Sequence, residues 1–172
     1  WFFEGKKATP ADIASGLPVH RPELEREIAD SVNTYTVTVI KASSGQGKTT
    51  LALQTAFALQ DTYTPYQLTV CNDIHELGNI AQWFKLRIEL GEKPLIILDN
   101  LDTHLSEWNE LVQLMQTELV GHYKLLITSR EIDWYNYGGD LSNIQSLHVI
   151  RPTLSETEAL AIYNLIKESG RL

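Results

Sequence analysis

One stretch constrains the fold of this chain more than any other: Ala42-Ser-Ser-Gly45-Gln-Gly47-Lys48-Thr49, set between a β-branched run and a helical run. It meets the phosphate-loop consensus G-x-x-x-x-G-K-[ST] at every fixed position but the first, where Ala42 replaces glycine. A loop that wraps a phosphate must turn its amide groups inward, which favours glycine and small side chains such as Ser43, Ser44, Gly45, Gln46 and Gly47. The following helix adds the positive end of its dipole. Lys48 brings a full charge to the β and γ oxygens, the Thr49 hydroxyl is a ligand for Mg²⁺, and Thr50 reaches the α-phosphate. Alanine is acceptable at position 42 provided its φ is negative. A glycine-rich connector is the alternative, set aside because motif and flanking pattern agree.

The rest of the chain reads as alternating strands and helices. Residues 1–21, with Gly5, Pro10, Gly16 and Pro18, form a lead-in with one short turn near Ala11–Ser15; residues 22–172 form the domain. Pro22 opens a helix carrying Leu24, Ile28 and Val32. Tyr35–Ile40 is a strand. A helix runs from Lys48 to about Gln60 with Leu53, Ala56 and Phe57 inward. Gln67–Cys71 is a short strand, and residues 74–90 form a helix with Ile74, Leu77, Ala81, Phe84 and Ile88 on one face. Pro94–Leu98 is a continuous apolar run, the mark of a strand buried on both faces. Residues 104–119 are a helix, Tyr123–Thr128 a strand, Ile132–Asn143 a loop, and Ser146–Ile150 a strand. Ser155-Glu-Thr-Glu158 is a capping box opening a last helix with Ala159, Ile162, Tyr163 and Ile166 inward. This alternation predicts an α/β three-layer sandwich around a five-stranded parallel sheet.

Composition narrows the function. The formal net charge of −8, from 14 basic and 22 acidic residues, argues against a nucleic-acid coat or an anionic-membrane binder. The single cysteine, Cys71, excludes a disulfide framework and points to a reducing, cytoplasmic setting. No apolar run approaches the roughly 20 residues that span a bilayer. The chain does not begin with Met, and we expect it to be a piece of a longer protein.

A phosphate loop needs a metal partner, and hard Mg²⁺ prefers carboxylate oxygen and water. Leu95-Ile-Ile-Leu98-Asp99 supplies it, with Asp99 holding the ion through water. The next residue, Asn100, cannot accept a proton. Asp102 is then the remaining base candidate, and it reads equally well as the cap of the helix starting near His104. The strand Leu125-Leu-Ile-Thr128-Ser129-Arg130 should lie beside the acidic one. That brings Thr128 and Arg130 toward the γ-phosphate, where a guanidinium fork matches phosphate oxygens.

Together these motifs resemble the STAND class of P-loop ATPases, which includes the NACHT and NB-ARC signalling switches. Asp99-Asn-Leu-Asp102 looks like the NACHT form of the acidic motif, and Ile127-Thr-Ser-Arg130 like the class's first sensor. Leu17-Pro-Val19-His20-Arg21-Pro22-Glu23 looks like a degraded form of the segment that borders adenine; only Val19 and Arg21 carry over. Pro152-Thr-Leu154-Ser155 with Glu158 resembles the approach to the next helical element. The resemblance implies strand order 5-1-4-3-2 and ATP or ADP with Mg²⁺ as cofactors. It also implies effector, winged-helix and sensor-repeat partners on the same longer chain, and homo-oligomers on activation; with Asn100 after Asp99 we expect hydrolysis to be slow, or the domain to bind nucleotide without turnover. Two other functions use the same loop: a nucleic-acid-associated ATPase of the AAA+ origin-binding branch, disfavoured by the charge, and a small-molecule kinase, disfavoured by sparse basic residues after the sensor. The five histidines show no metal-ligand spacing. Trp134, Tyr135 and Tyr137 are read as rings packing over the sheet edge rather than as a partner surface.

Overall fold

The computed structural model describes residues 7–69, 73–99, 107–137 and 144–168. The elements in chain order are α1 (Pro10–Ala14), α2 (Pro22–Thr34), β1 (Val37–Lys41), α3 (Lys48–Ala58), β2 (Thr64–Leu68) and α4 (Ile74–Glu89), then β3 (Pro94–Leu98), α5 (Trp108–Leu119), β4 (Lys124–Ser129), α6 (Glu131–Tyr137), β5 (Leu147–Ile150) and α7 (Glu156–Glu168). The sheet runs β2-β3-β4-β1-β5, the expected order read from its other edge, and every pairing is parallel.

Strand periodicity builds the two cores. In β3, Ile96 and Leu98 face one apolar cluster while Leu95 and Ile97 face the other. The first cluster takes Leu77 and Phe84 of α4, Trp108, Val112 and Met115 of α5, and Trp134 of α6. The second takes Ile13 of α1, Ile28 and Val32 of α2, and Leu51, Ala52 and Ala56 of α3. Helices thus cover both faces, and the three central strands are buried throughout or nearly so. Among the described residues, no helix is long and apolar enough to cross a membrane.

Several elements differ from expectation. The second strand is Thr64–Leu68, earlier than Gln67–Cys71. It is an edge strand, where Pro65 costs no ladder bond, and its burial alternates because only one face is covered. Cys71 lies outside the described residues. Residues 131–137 are helical rather than looped: acidic Glu131 and Asp133 occupy the first turn, and the Trp134 amide donates to the Arg130 carbonyl. Trp134 is buried, its ring centroid 5.3 Å from that of Trp108. Phe57 of α3 and Ile74 of α4 are exposed rather than inward, and Gln54 is buried on α3. No residue of α7 is fully buried, and Ala159 and Tyr163 are exposed. Both sheet faces are already occupied by the earlier helices, so α7 packs at the rim. The lead-in is docked: Ala8 and Ile13 are buried, and Thr9 and Asp12 form a reciprocal capping box.

Candidate functional site

In an open parallel sheet, ligands gather outside the carboxyl ends of the strands. Here β1 leads into the Ala42–Gly47 loop, β3 is followed directly by Asp99, and β4 ends at Thr128-Ser129 with Arg130 next. Parallel register sets Ile40 beside Thr128 and Leu98 beside Ile127, so the three ends converge.

The loop has the backbone its sequence requires. Gly45 and Gly47 have φ of 79° and 75°, values that L side chains rarely adopt. Ala42 does not share this positive φ, which is why alanine is tolerated there. Ser43, Ser44, Gly45 and Gly47 are exposed and Gln46 is half-buried. Gly47 is the N-cap of α3 and no side chain caps that helix, so its first amides are left to the loop. The Lys48 ammonium is buried and donates to the Ser43 carbonyl at 2.8 Å, curling over the loop. Burial pulls its pKa down, and the opposite charge of Asp99 works against that pull.

Beneath the loop, Asp99 is the junction. Its Oδ1 accepts from the Thr49 hydroxyl at 2.8 Å and from the Thr128 hydroxyl at 2.6 Å. Its Oδ2 faces the Lys7 ammonium at 2.5 Å. A carboxylate and a threonine hydroxyl are hard oxygen donors, already drawn together and already attractive to a cation, so they fit Mg²⁺. The nest above fits a phosphate chain, having positive-φ glycines with open space around them and a buried ammonium.

Arg130 lies within electrostatic reach of Lys48. Its Nε donates to Asp133 Oδ2 at 2.5 Å and its Nη2 to Asp133 Oδ1 at 3.1 Å, which holds the guanidinium against the first turn of α6. Arg21 is buried and serves as a clasp. It donates to the Gln46 carbonyl at 3.1 Å, to the Thr153 carbonyl at 2.6 Å, and through Nε to Glu158 at 2.8 Å. The Glu158 carboxylate is also held by the Ser155 amide and hydroxyl, the predicted capping box. These bonds, that to Arg21 first, pull its pKa down to about 2. Val19, Arg21, Gly47, Thr50, Gln54 and Ile162 are among the walls of a cavity of about 170 Å³ beside the loop. A larger cavity, about 390 Å³, lies at the amino ends of β3 and β4; there the Lys124 ammonium is taken up by the Asn33 and Tyr35 carbonyls.

Lys48, Thr49, Asp99 and Thr128 thus come together, with Arg130 close by. Asn100, Asp102 and His104 lie outside the described residues. Sequence reading missed three contributors: Lys7, Gln54 and Asp133. Gln54 was legible as a polar residue four positions after Thr50 on the same helical face; the other two act through tertiary placement.

Residues 1–142 match the family model described as Novel STAND NTPase 5. No curated protein matches. Among solved structures, a crystal structure of a DNA replication initiation factor is similar, with a TM-score of 0.56 and 16% identity over 97% of this chain. This chain spans 54% of that one, and the likeness is one of fold.

Proposed function

From the chain's membership of the Novel STAND NTPase 5 family, we propose that this P-loop NTPase domain is the ATP- and ADP-binding switch of a larger signal-transducing protein. The observation that carries the reading is the shared Asp99 oxygen, which ties the first turn of α3 (Thr49) to the end of β4 (Thr128) directly beneath the phosphate loop. In this reading the loop amides and Lys48 hold the β- and γ-phosphates. Thr49 and Asp99 hold Mg²⁺, directly and through water. Mg²⁺, when bound, supplies charge neutralisation between the phosphate oxygens.

Arg130 is the sensor. Its partner Asp133 keeps the guanidinium aimed near Lys48, and a γ-phosphate competes with Asp133 for the same fork of donors. That competition gives the two states unequal affinity for the nucleotide, which is what a switch needs. Arg21 couples the phosphate loop to the start of α7 through Gln46 and Glu158, so loop state reaches the chain that follows the sheet. A net charge of −8 disfavours a phosphate-backbone partner, so this reading does not take up the fold neighbour's role in DNA replication.

Hydrolysis is slow, because Asn100 supplies no base after Asp99 and Asp102 is the remaining carboxylate. Release of γ-phosphate from ATP tests this. Slow turnover, reduced further in Asp102→Asn, is expected; vigorous turnover unaffected by that change contradicts it.

A further inference from the structure

The carboxylate at the centre of the site meets a cation that the phosphate loop does not supply. Asp99 Oδ1 is taken up by the Thr49 and Thr128 hydroxyls. Its Oδ2 is buried, and the Lys7 ammonium stands 2.5 Å from it. The two side chains are unequally placed, Asp99 being 3% exposed and Lys7 54%. The lysine reaches in from the surface and has an open way back to water.

A docked segment delivers it. Ala8 is buried, Thr9 caps α1 in a reciprocal box with Asp12, and Ile13 packs in one cluster with Leu53 and Ala56 of α3. The first turn of α3 carries Thr49. The ammonium is thereby tethered beside the carboxylate at high effective concentration.

The nucleotide reading above, on which this inference rests, puts a divalent ion at the same carboxylate. Oδ1 already accepts two hydroxyl hydrogens, so an ion or a water that it carries has Oδ2 to address. Lys7 holds that oxygen with one singly charged contact whose outer side is open to solvent. Mg²⁺ keeps several of its waters and is held by one or two carboxylates together with substrate phosphates. With the loop empty, the tethered ammonium therefore has the advantage. With a nucleotide's phosphates in the loop the advantage passes to the doubly charged ion, and two cations at one oxygen repel.

We propose that Lys7 is a built-in competitor for the metal position: it neutralises Asp99 while the loop is empty and leaves the carboxylate when nucleotide and metal load together. The segment before α1 loses one of its anchors at that moment. Nucleotide state is thus felt at a second place besides Arg130, on the side of the domain where the chain enters. Lys7 is a positioning residue: it sets how much metal the site needs without touching the phosphates.

The test titrates ADP at a series of free Mg²⁺ concentrations into the unaltered protein, Lys7→Gln and Lys7→Arg. The Mg²⁺ concentration at which ADP affinity rises should fall roughly tenfold in Lys7→Gln, the worth of one charge-assisted contact. It should stay near its original value in Lys7→Arg, which keeps the cation. A second measurement needs no variant: the rate of Lys7 acetylation in the unaltered protein, followed by mass spectrometry. Acetylation should quicken several-fold when ADP and Mg²⁺ are added together, and not with ADP in a chelator. A Mg²⁺ midpoint unchanged or raised in Lys7→Gln overturns the competition. Labelling that is equal or slower in the loaded protein also overturns it, the slower rate meaning that the ammonium moves onto the phosphates. If ADP still binds in a Lys48-dependent, Mg²⁺-dependent manner, the nucleotide reading survives that failure. If neither ADP nor ATP binds, that reading fails as well.

Discussion

Asp99 carries three contacts on two oxygens. Two hydroxyls share Oδ1, and the Lys7 ammonium stands at Oδ2. The three partners come from α3, β4 and the segment before α1, so one buried carboxylate collects three distant parts of the chain. Asp99 was legible as the acid ending an apolar strand, and Thr49 as the residue after the loop lysine. Lys7 was not, because nothing in local patterning ties a lysine near the start of the chain to a strand end in its middle. In Asp99→Asn the remaining oxygen still accepts from the two threonines, and the Lys7 side chain, 54% exposed, has room to turn to water. The fold should therefore persist, with a loss of stability of about 1–3 kcal/mol. Nucleotide affinity in Mg²⁺ should drop to the level seen in a chelator, as measured by titration with and without the metal. Affinity that still rises with Mg²⁺ contradicts the assignment of Asp99.

At the scale of elements, periodicity explains what could be read. The central strands β1, β3 and β4 are apolar on both faces because helices cover both, and their runs stand out in the sequence. The edge strand β2 escaped because half its residues face water and Pro65 argues against a strand. Helix α6 escaped because its aromatics and the glycines that follow read as a loop. Helix α7 was found by its capping box, but its apolar residues lie against the rim rather than the core. The Arg21–Glu158 clasp fixes that rim contact. The folded state holds Glu158 down at about 2 against an ordinary value of 4.5, so its carboxylate stabilises the fold fully above about pH 4.5. That contribution is lost as pH falls from 4.5 toward 2. Glu158→Gln should cost about 1 kcal/mol at neutral pH, the pair being partly exposed. The deficit relative to the unaltered protein should vanish at the acid end of that window. Chemical denaturation across pH checks both points; a deficit that persists at low pH contradicts the clasp.

At the scale of the whole molecule, the fold class followed from one loop, one acidic strand and the βα alternation, and the strand order from the family resemblance that those motifs carry. Each is a constraint that a parallel sheet can meet in few ways. What the sequence withheld was the set of contacts between segments far apart in the chain: Lys7 on Asp99, Arg21 on Glu158, Gln54 on Val19. All three contacts involve a residue of the segment before α2, and so bring that segment against the helix after the phosphate loop, the end of β3 and the start of α7. A ligand bound only by the native state stabilises it by mass action, so melting temperature should rise with nucleotide concentration. The most direct measurement is a titration of ATP with Mg²⁺ into the unaltered protein and into Lys48→Ala, read by both binding and melting temperature. The account predicts saturable binding with a rising melting temperature in the first. It predicts at least a tenfold loss of affinity in the second, with the ligand-free fold intact. Equal affinity in the two proteins would contradict it.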